Sequence, residues 1–504
     1  MSGLLVAGTT SDAGKSVVTT GLCRAFARRG VKVAPYKAQN MSNNSMVVST
    51  GSTTGEGSTT GEGSTTGADG TTAEIGRAQW VQALAARVTP EPAMNPVLLK
   101  PGSERRSHVV LMGHPAGEVS SRDWEAGRRH LATAAHEAYD DLSSRFDVIV
   151  AEGAGSPAEI NLRAGDYVNM GLARHAGLAT VVVGDIDRGG VFAAMYGTLA
   201  LLEPEDQALI SGFVINKFRG DAGLLKPGLD SLESLTKRPV FGVLPWDPSL
   251  WLDSEDALDL EGRRSGAGTR HKIAVVRLPR ISNFTDVDAL GLEPDLDVVF
   301  ASSPADLSDA DLVVLPGTRS TINDLAWLRS RGLDVAITEH VRRGRPLLGI
   351  CGGFQMLGRV IADSQGVEGA VAEVEGLGLL DVRTDFAPAK NLRLPTGSAF
   401  GVEASGYEIH HGRITLGDGA SEFLGGARAG NVFGTMWHGS LEGDALRGAL
   451  LRVALGREPS DVSFPEARER RMDLIGDLVE EHLDVDALLD LARSGPANAR
   501  RGTR

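Results

Sequence analysis

Leu4-Leu-Val-Ala-Gly8-Thr-Thr-Ser-Asp-Ala-Gly14-Lys15-Ser16 decides how the rest of the chain is read. Leu4–Ala7 is a short apolar run of the kind that forms a buried parallel strand. A glycine-bounded loop follows, and then an apolar pattern with helical spacing. Glycines let backbone N–H groups turn inward around phosphate oxygens, and the next helix adds the positive end of its dipole. Lys15 supplies a point charge and Ser16 a hydroxyl suited to Mg²⁺. The interval between Gly8 and Gly14 is one residue longer than the strict pattern, with Thr9 where the first glycine would stand. Thr9, Asp12, Gly14, Lys15 and Ser16 are therefore the candidate ATP contacts of a variant phosphate loop.

The runs Val31–Pro35, Val148–Ala151, Thr180–Val183, Phe213–Ile215 and Val240–Leu244 repeat the strand signal, with helical patterns between most of them. Alternating strand and helix implies a parallel sheet covered on both faces. Three of these runs end in chemistry. Asp147-Val-Ile-Val-Ala-Glu152-Gly-Ala-Gly155 places Glu152 where a Mg²⁺ ligand is needed beside phosphates. Asp185-Ile-Asp187-Arg188 offers Asp185 as a second metal candidate and Arg188 as an anion holder; Asn216 is placed to read adenine. Thr10 stands where partition-type ATPases carry an extra lysine, and the loop spacing resembles dethiobiotin synthetase instead.

The expected organisation is an ATP-binding amide synthetase domain at 1–246, a polar linker at 247–270, a second α/β domain at 271–455, and a helical C-terminal segment at 456–504 with a disordered tail. A low-complexity insert at 49–70, built on the hexamer GSTTGE, reads as an expanded surface loop or a mobile lid. The second strand series is Ile273–Leu278, Val298–Ala301, Leu312–Leu315, Leu347–Ile350 and Val432–Met436. Within it, Gly349-Ile-Cys351-Gly-Gly353 is a nucleophile elbow with cysteine in place of serine. The helix that follows favours the thiolate, and the Gly352 N–H can hold an oxyanion, with Gly317 as a second donor by analogy with class I glutamine amidotransferases. His438, in Trp437-His-Gly, is the expected base, with His410 and His411 as rivals. Ser440 occupies the place where class I enzymes carry a glutamate after the histidine, which leaves the third member absent or supplied from elsewhere, with Glu408 as a candidate. Cys23 lies in a helical pattern and reads as a packing residue.

Composition narrows the function classes. The net charge of −14 disfavours a phosphate-backbone partner, so nucleic acid is not expected. Two cysteines rule out a disulfide framework or zinc cluster and fit a reducing cytoplasm. The first residues lack a signal-peptide pattern, and the chain shows no long apolar run, so no membrane partner is expected.

Lys37-Ala-Gln-Asn40-Met-Ser-Asn-Asn-Ser45, Glu74-Ile-Gly-Arg-Ala-Gln79, Met94-Asn-Pro-Val-Leu-Leu-Lys100, Glu152-Gly-Ala-Gly-Ser-Pro-Ala-Glu159-Ile-Asn-Leu, Asn216-Lys-Phe-Arg-Gly-Asp221 and Tyr407-Glu-Ile-His410 stand beside the cysteine elbow. With these segments the chain resembles the cobyric acid synthases. The resemblance implies a dethiobiotin-synthetase-like P-loop domain joined to a class I glutamine amidotransferase-like domain that dispenses with the triad glutamate. It implies ATP- and glutamine-dependent amidation of the b, d, e and g carboxylates of adenosylcobyrinic acid a,c-diamide, with a corrinoid polycarboxylate as substrate; Mg²⁺ is the cofactor expected from Ser16 and Glu152. Lys37, Gln39, Asn40, Lys100 and Arg188 are the candidate substrate contacts, since a polycarboxylate needs basic and amide groups around it. A cobyrinic acid a,c-diamide synthase, or a P-loop scaffold carrying an inactive amidotransferase-like domain, are the alternatives.

Overall fold

The computed structural model describes residues 2–50, 72–101, 106–120, 128–247, 271–369 and 372–496. The expected insert at 49–70 and linker at 247–270 fall almost wholly outside these residues, as does the end of the C-terminal segment from 497 on. The chain divides into two compact units. The first comprises Met1–Ser42, Glu74–Asp253 and Arg468–Arg504, and the second Asn43–Ala73 and Ser254–Ala467.

The first unit is built on six parallel strands: β1 (Gly3–Gly8), β2 (Val33–Tyr36), β3 (Val148–Glu152), β4 (Ala179–Asp185), β5 (Ile210–Phe218) and β6 (Val240–Pro245), in the order β6-β5-β4-β1-β3-β2. Strands β1 to β4 are buried along their whole length, which explains why they read as continuous apolar runs rather than alternating ones. Helix α1 (Lys15–Arg28) leaves the phosphate loop and packs its Val18, Leu22, Ala25 and Phe26 into the core. A small sheet of Gln39–Met41, Val97–Pro101, Arg106–Leu111 and His114–Ser120 is inserted into this unit, largely antiparallel, and carries Gln39, Asn40 and Lys100.

The second unit has a seven-stranded sheet of β7 (His271–Val276), β8 (Leu296–Ala301), β9 (Leu312–Leu315), β10 (Leu347–Ile350), β11 (Ser421–Phe423), β12 (Gly426–Ala429) and β13 (Val432–Thr435). Its order is β8-β7-β9-β10-β13-β12-β11, parallel except for the β11–β12–β13 edge. A second layer pairs the long strand Val382–Arg393 with Glu408–Leu416. Helix α2 (Gly352–Leu357) starts directly after β10, through Cys351.

The C-terminal helices return to the first unit. Helix α3 (Phe464–His482) and helix α4 (Val485–Ser494) contribute Met472, Val479, Val485, Leu488 and Leu489 to the same core as β1 and α1, and Leu483 between them joins it. Charge reinforces the packing. Arg24, almost wholly buried, pairs with Asp473 at 2.8 Å and with Glu469, and Arg28 reaches Asp473, Asp477 and Glu480 at 2.6, 2.6 and 2.7 Å. The α1–α3 approach is close. A methyl group at Gly21 would lie 2.3 Å from Val479 Cγ2, so the residue must be glycine here. Leu488 is fully buried in this core. Leu488→Ala is expected to destabilise the first unit by about 3 kcal/mol through lost burial and the cavity left behind, read as a lowered midpoint in urea denaturation.

Candidate active sites

The phosphate loop runs from the end of β1 to Gly14, which takes the left-handed φ of 99° that the turn into α1 requires. Asn216, at the end of β5, closes over this turn: its amide donates to the Ala13 carbonyl at 3.0 Å, and a methyl group on Gly14 would lie 1.8 Å from its Nδ2. Thr9 N–H donates to the Val183 carbonyl at 2.9 Å, which ties the loop to β4. Lys15 Nζ donates to the carbonyls of Thr10 and Ser11 at 2.9 Å and to that of Gly155 at 3.2 Å. Its ammonium is thereby held at the loop and at the glycines after β3.

Glu152 is the buried acid of this site. Its Oε1 accepts from Ser16 Oγ at 3.0 Å and from Lys37 Nζ at 2.9 Å, and its Oε2 accepts from Gln82 Nε2 at 2.6 Å. Burial raises the pKa of such a carboxyl, but the charge and hydrogen bond of Lys37, the Gln82 amide and the charge of Lys15 more than offset it and hold Glu152 below its ordinary value. Asp185, the other metal candidate, is occupied differently: its Oδ2 accepts from Lys217 Nζ at 2.8 Å and lies 3.7 Å from Arg188 Nε. Arg188 also reaches Asp12 at 2.8 Å across the surface of the loop, an exposed pair of small energetic weight.

The substrate candidates separate into groups. Lys37 joins Glu152 and the phosphate loop, and Arg188 joins Asp12. Gln39 Oε1 accepts from Tyr167 OH at 2.6 Å, Asn40 Nδ2 donates to Gln79 Oε1 at 3.0 Å, and Lys100 pairs with buried Glu74. Gln82 and Lys217 belong to the phosphate site although the sequence reading passes over them. Gln82 sits three residues past Gln79 on the helix Arg77–Ala85, and Lys217 adjoins Asn216. Only spacing and adjacency could have flagged them.

In the second unit Cys351 sits on the bend between β10 and α2 with φ 48° and ψ −109°. This conformation is unusual for a residue with a Cβ and costs about 1–3 kcal/mol. The bend is held by Cys351 N–H donating to the Thr435 carbonyl at 2.7 Å and by Gln355 N–H donating to the Cys351 carbonyl at 2.9 Å. Gly353 must lack a side chain, since a methyl group there would lie 2.0 Å from the Leu315 carbonyl oxygen. That approach brings the loop after β9, which holds Gly317, beside the elbow. A methyl group on Gly317 would lie 2.9 Å from His438 Cε1, and one on Gly352 2.7 Å from Thr318 Cγ2.

His438 follows β13, and its imidazole is near enough to Cys351 to be acted on by its charge. Its backbone pairs with Tyr407, with N–H to carbonyl distances of 2.9 and 3.0 Å, and the two rings stack with centroids 5.4 Å apart. On the far side, Nδ1 lies 2.7 Å from Asp286 Oδ2. Burial alone would lower the imidazole pKa. The charges of Asp286 and Cys351 and the hydrogen bond to Asp286 reverse that and raise it from 6.5 to about 10. The rival histidines are engaged elsewhere: His410 Nδ1 meets the Gly412 carbonyl at 2.9 Å and His411 Nδ1 the Ala387 carbonyl at 3.1 Å. Glu408 lies 3.6 Å from His410, and Ser440 Oγ donates to the Trp437 carbonyl at 3.3 Å. Asp286 was invisible to sequence reasoning because it lies 152 residues before His438 in an unremarkable Phe-Thr-Asp-Val turn.

Two family models match this chain: the CobQ/CobB/MinD/ParA nucleotide binding domain over residues 4–259 and the CobB/CobQ-like glutamine amidotransferase domain over residues 272–446. The chain is 74% identical to the cobyric acid synthase of Mycolicibacterium gilvum over 496 residues, 98% of each chain. It is 71% identical to that of Mycobacterium ulcerans over 499 residues, 99% of this chain and 98% of that one.

The chain belongs to the cobyric acid synthase family.

Membership assigns the first unit to nucleotide binding and the second to the amidotransferase class. Among the described residues no helix is long and apolar enough to cross a membrane. No group of three or more His, Cys, Asp or Glu side chains is arranged to hold a metal among them.

The raised His438 pKa has a direct consequence. A histidine whose folded pKa lies above its unfolded one stabilises the fold fully below about 6.5, and that contribution is lost as pH rises through about 10. At about pH 8, where an ordinary histidine is neutral, His438 is expected to be protonated. Nitrogen chemical shifts of labelled histidine check this directly, and a neutral His438 at that pH would contradict it.

Proposed function

We propose that this chain makes adenosylcobyric acid by amidating the b, d, e and g side-chain carboxylates of adenosylcobyrinic acid a,c-diamide, with glutamine as nitrogen donor and ATP as the activating reagent. The observation that carries the reading is Cys351, on a strained elbow at the end of a parallel strand, with the His438 imidazole near enough to be acted on by its charge. A thiol in that setting is a nucleophile for an amide carbonyl. The thiolate attacks the side-chain amide of glutamine, and the N–H groups of Gly352 and Gly317 are the donors for the developing oxyanion. His438 gives its proton to the departing nitrogen, which leaves as ammonia, and water then releases glutamate from the thioester.

A carboxylate is a poor electrophile, so the first unit has to make it receptive. A substrate carboxylate takes the γ-phosphoryl group of ATP, ADP leaves, and ammonia displaces phosphate from the acyl phosphate to form the amide. Thr9, Asp12, Gly14, Lys15, Ser16 and Asn216 are the nucleotide contacts in this reading. Lys15 and Lys37 place two ammonium groups near the transferred charge, so this is catalysis by positioning and electrostatics. Ser16 Oγ and Glu152 Oε1, 3.0 Å apart, are hard oxygen donors of the kind Mg²⁺ takes alongside phosphate oxygens and water. Bound there, Mg²⁺ would neutralise phosphate charge. Asp185, which accepts from Lys217 at 2.8 Å and lies 3.7 Å from Arg188, is the second acid offered to Mg²⁺ and holds those cations at the loop. Lys37, Gln39, Asn40, Lys100 and Arg188 are the basic and amide groups offered to the carboxylate arms.

Incubation with the a,c-diamide, ATP and glutamine should yield a product whose mass corresponds to four carboxyl-to-amide conversions. An unchanged mass would refute the assignment. Lys15→Ala should lower amidation by about 100-fold or more while glutamine hydrolysis stays measurable. Cys351→Ala should lose glutamate release by about 1000-fold yet still amidate when ammonium is supplied at high pH. Loss of that ammonium-driven activity would show that the two chemistries are not separable.

A further inference from the structure

Asp286 is a buried carboxylate of the amidotransferase unit that the mechanism above leaves without a role. Asp286 and His438 are both nearly inaccessible, with side chains 3% and 1% exposed. Both oxygens of Asp286 are committed to the histidine turn. Oδ2 meets His438 Nδ1 at 2.7 Å, and Oδ1 accepts from Gly439 N–H at 2.7 Å. Two bonds from one carboxylate to adjacent residues fix the side chain in direction as well as distance.

The turn that carries Asp286 is itself anchored. Asn283 adopts a left-handed conformation, φ 49° and ψ 40°, and its Oδ1 accepts from Ser45 N–H at 2.9 Å. Ser282 N–H donates to the Gly317 carbonyl at 2.9 Å, and Asp286 N–H to the Asn283 carbonyl at 3.0 Å. The loop bearing the carboxylate is therefore bonded to the loop bearing the second oxyanion donor.

We propose that Asp286 is the positioning carboxylate of the glutaminase centre, the third member that the family's missing glutamate leaves to be supplied from another element. The inference rests on the Cys351–His438 reading. A carboxylate on Nδ1 makes that nitrogen the proton carrier and leaves Nε2 to face the thiol. The thiolate of Cys351 forms its bond to the amide carbon, and the Nε2 proton that the His438 imidazolium already carries is passed to the departing nitrogen. Asp286 faces the buried imidazolium and compensates its charge. Glu408, the carboxylate suggested by sequence, is placed at His410 and has no such contact.

The experiment uses the full chain and compares wild type, Cys351→Ala, Asp286→Asn and Asp286→Glu. Asp286→Asn is expected to lower kcat for glutamine hydrolysis by about 100- to 10,000-fold, with KM for glutamine within about threefold and ammonium-driven amidation unchanged. The His438 imidazolium signal at about pH 8 should disappear with it. Asp286→Glu should recover part of kcat. Wild-type kcat in Asp286→Asn, or an unchanged histidine signal, would overturn the proposal. Should Asp286→Asn also lose ammonium-driven activity, Asp286→Glu decides: an intermediate kcat at unchanged KM supports the role, and wild-type kcat or complete loss defeats it. Glutamate release that survives in Cys351→Ala would instead defeat the underlying nucleophile reading, whatever Asp286 does.

Discussion

Both chemistries are placed at the carboxyl ends of parallel strands, and this constraint organises the molecule. A parallel strand ends with its backbone pairing complete, and the chain must then turn away into a loop or helix. The turn exposes N–H groups, and the next helix start adds positive potential. Lys15, Glu152, Asp185 and Asn216 follow or terminate β1, β3, β4 and β5. Gly317, Cys351 and His438 follow β9, β10 and β13. Neighbouring strands bring residues far apart in the chain to within hydrogen-bonding distance, so each site is assembled from three or four strand ends.

What these ends hold is mostly buried charge, each group answered by a partner. Lys37 faces Glu152, Lys100 faces Glu74, and His438 faces Asp286. Removing such groups from water is expensive, and pairing rarely makes them more favourable than apolar packing would be. Their value lies in orientation. Glu152 is held by Ser16, Lys37 and Gln82 together, and His438 by Asp286, Tyr407 and Cys351. A side chain with several partners keeps one geometry, which is the condition for positioning a phosphoryl group or transferring a proton. The strained backbone at Cys351 persists for the same reason: the Leu315 carbonyl, the Thr435 carbonyl and helix α2 leave it no alternative.

The C-terminal helices show a different use of charge. Helix α1 carries the phosphate loop at its start and presents Arg24, Arg28 and Arg29 to α3 and α4. Apolar contacts bury the inner face and acidic side chains meet the arginines at the edge. A segment remote in sequence thus braces the helix that leaves the glycine-bounded loop after β1.

The chain's own pattern determined a good deal: two α/β sheets from apolar runs, a phosphate loop from Gly8 to Ser16, and an elbow around Cys351. These signals are local, because a loop that wraps phosphate or a bend that bares a thiol needs particular residues within a few positions of one another. The antiparallel strands 106–120 and 382–416 were less legible, since their half-exposed faces carry a weaker apolar signal. Asp286, Gln82 and Lys217 were decided only by the tertiary structure, as was the docking of α3 and α4 beside α1. A hydrogen bond between strand ends depends on which strands are neighbours, and that order arises from packing of the whole sheet, to which no short stretch of sequence has access.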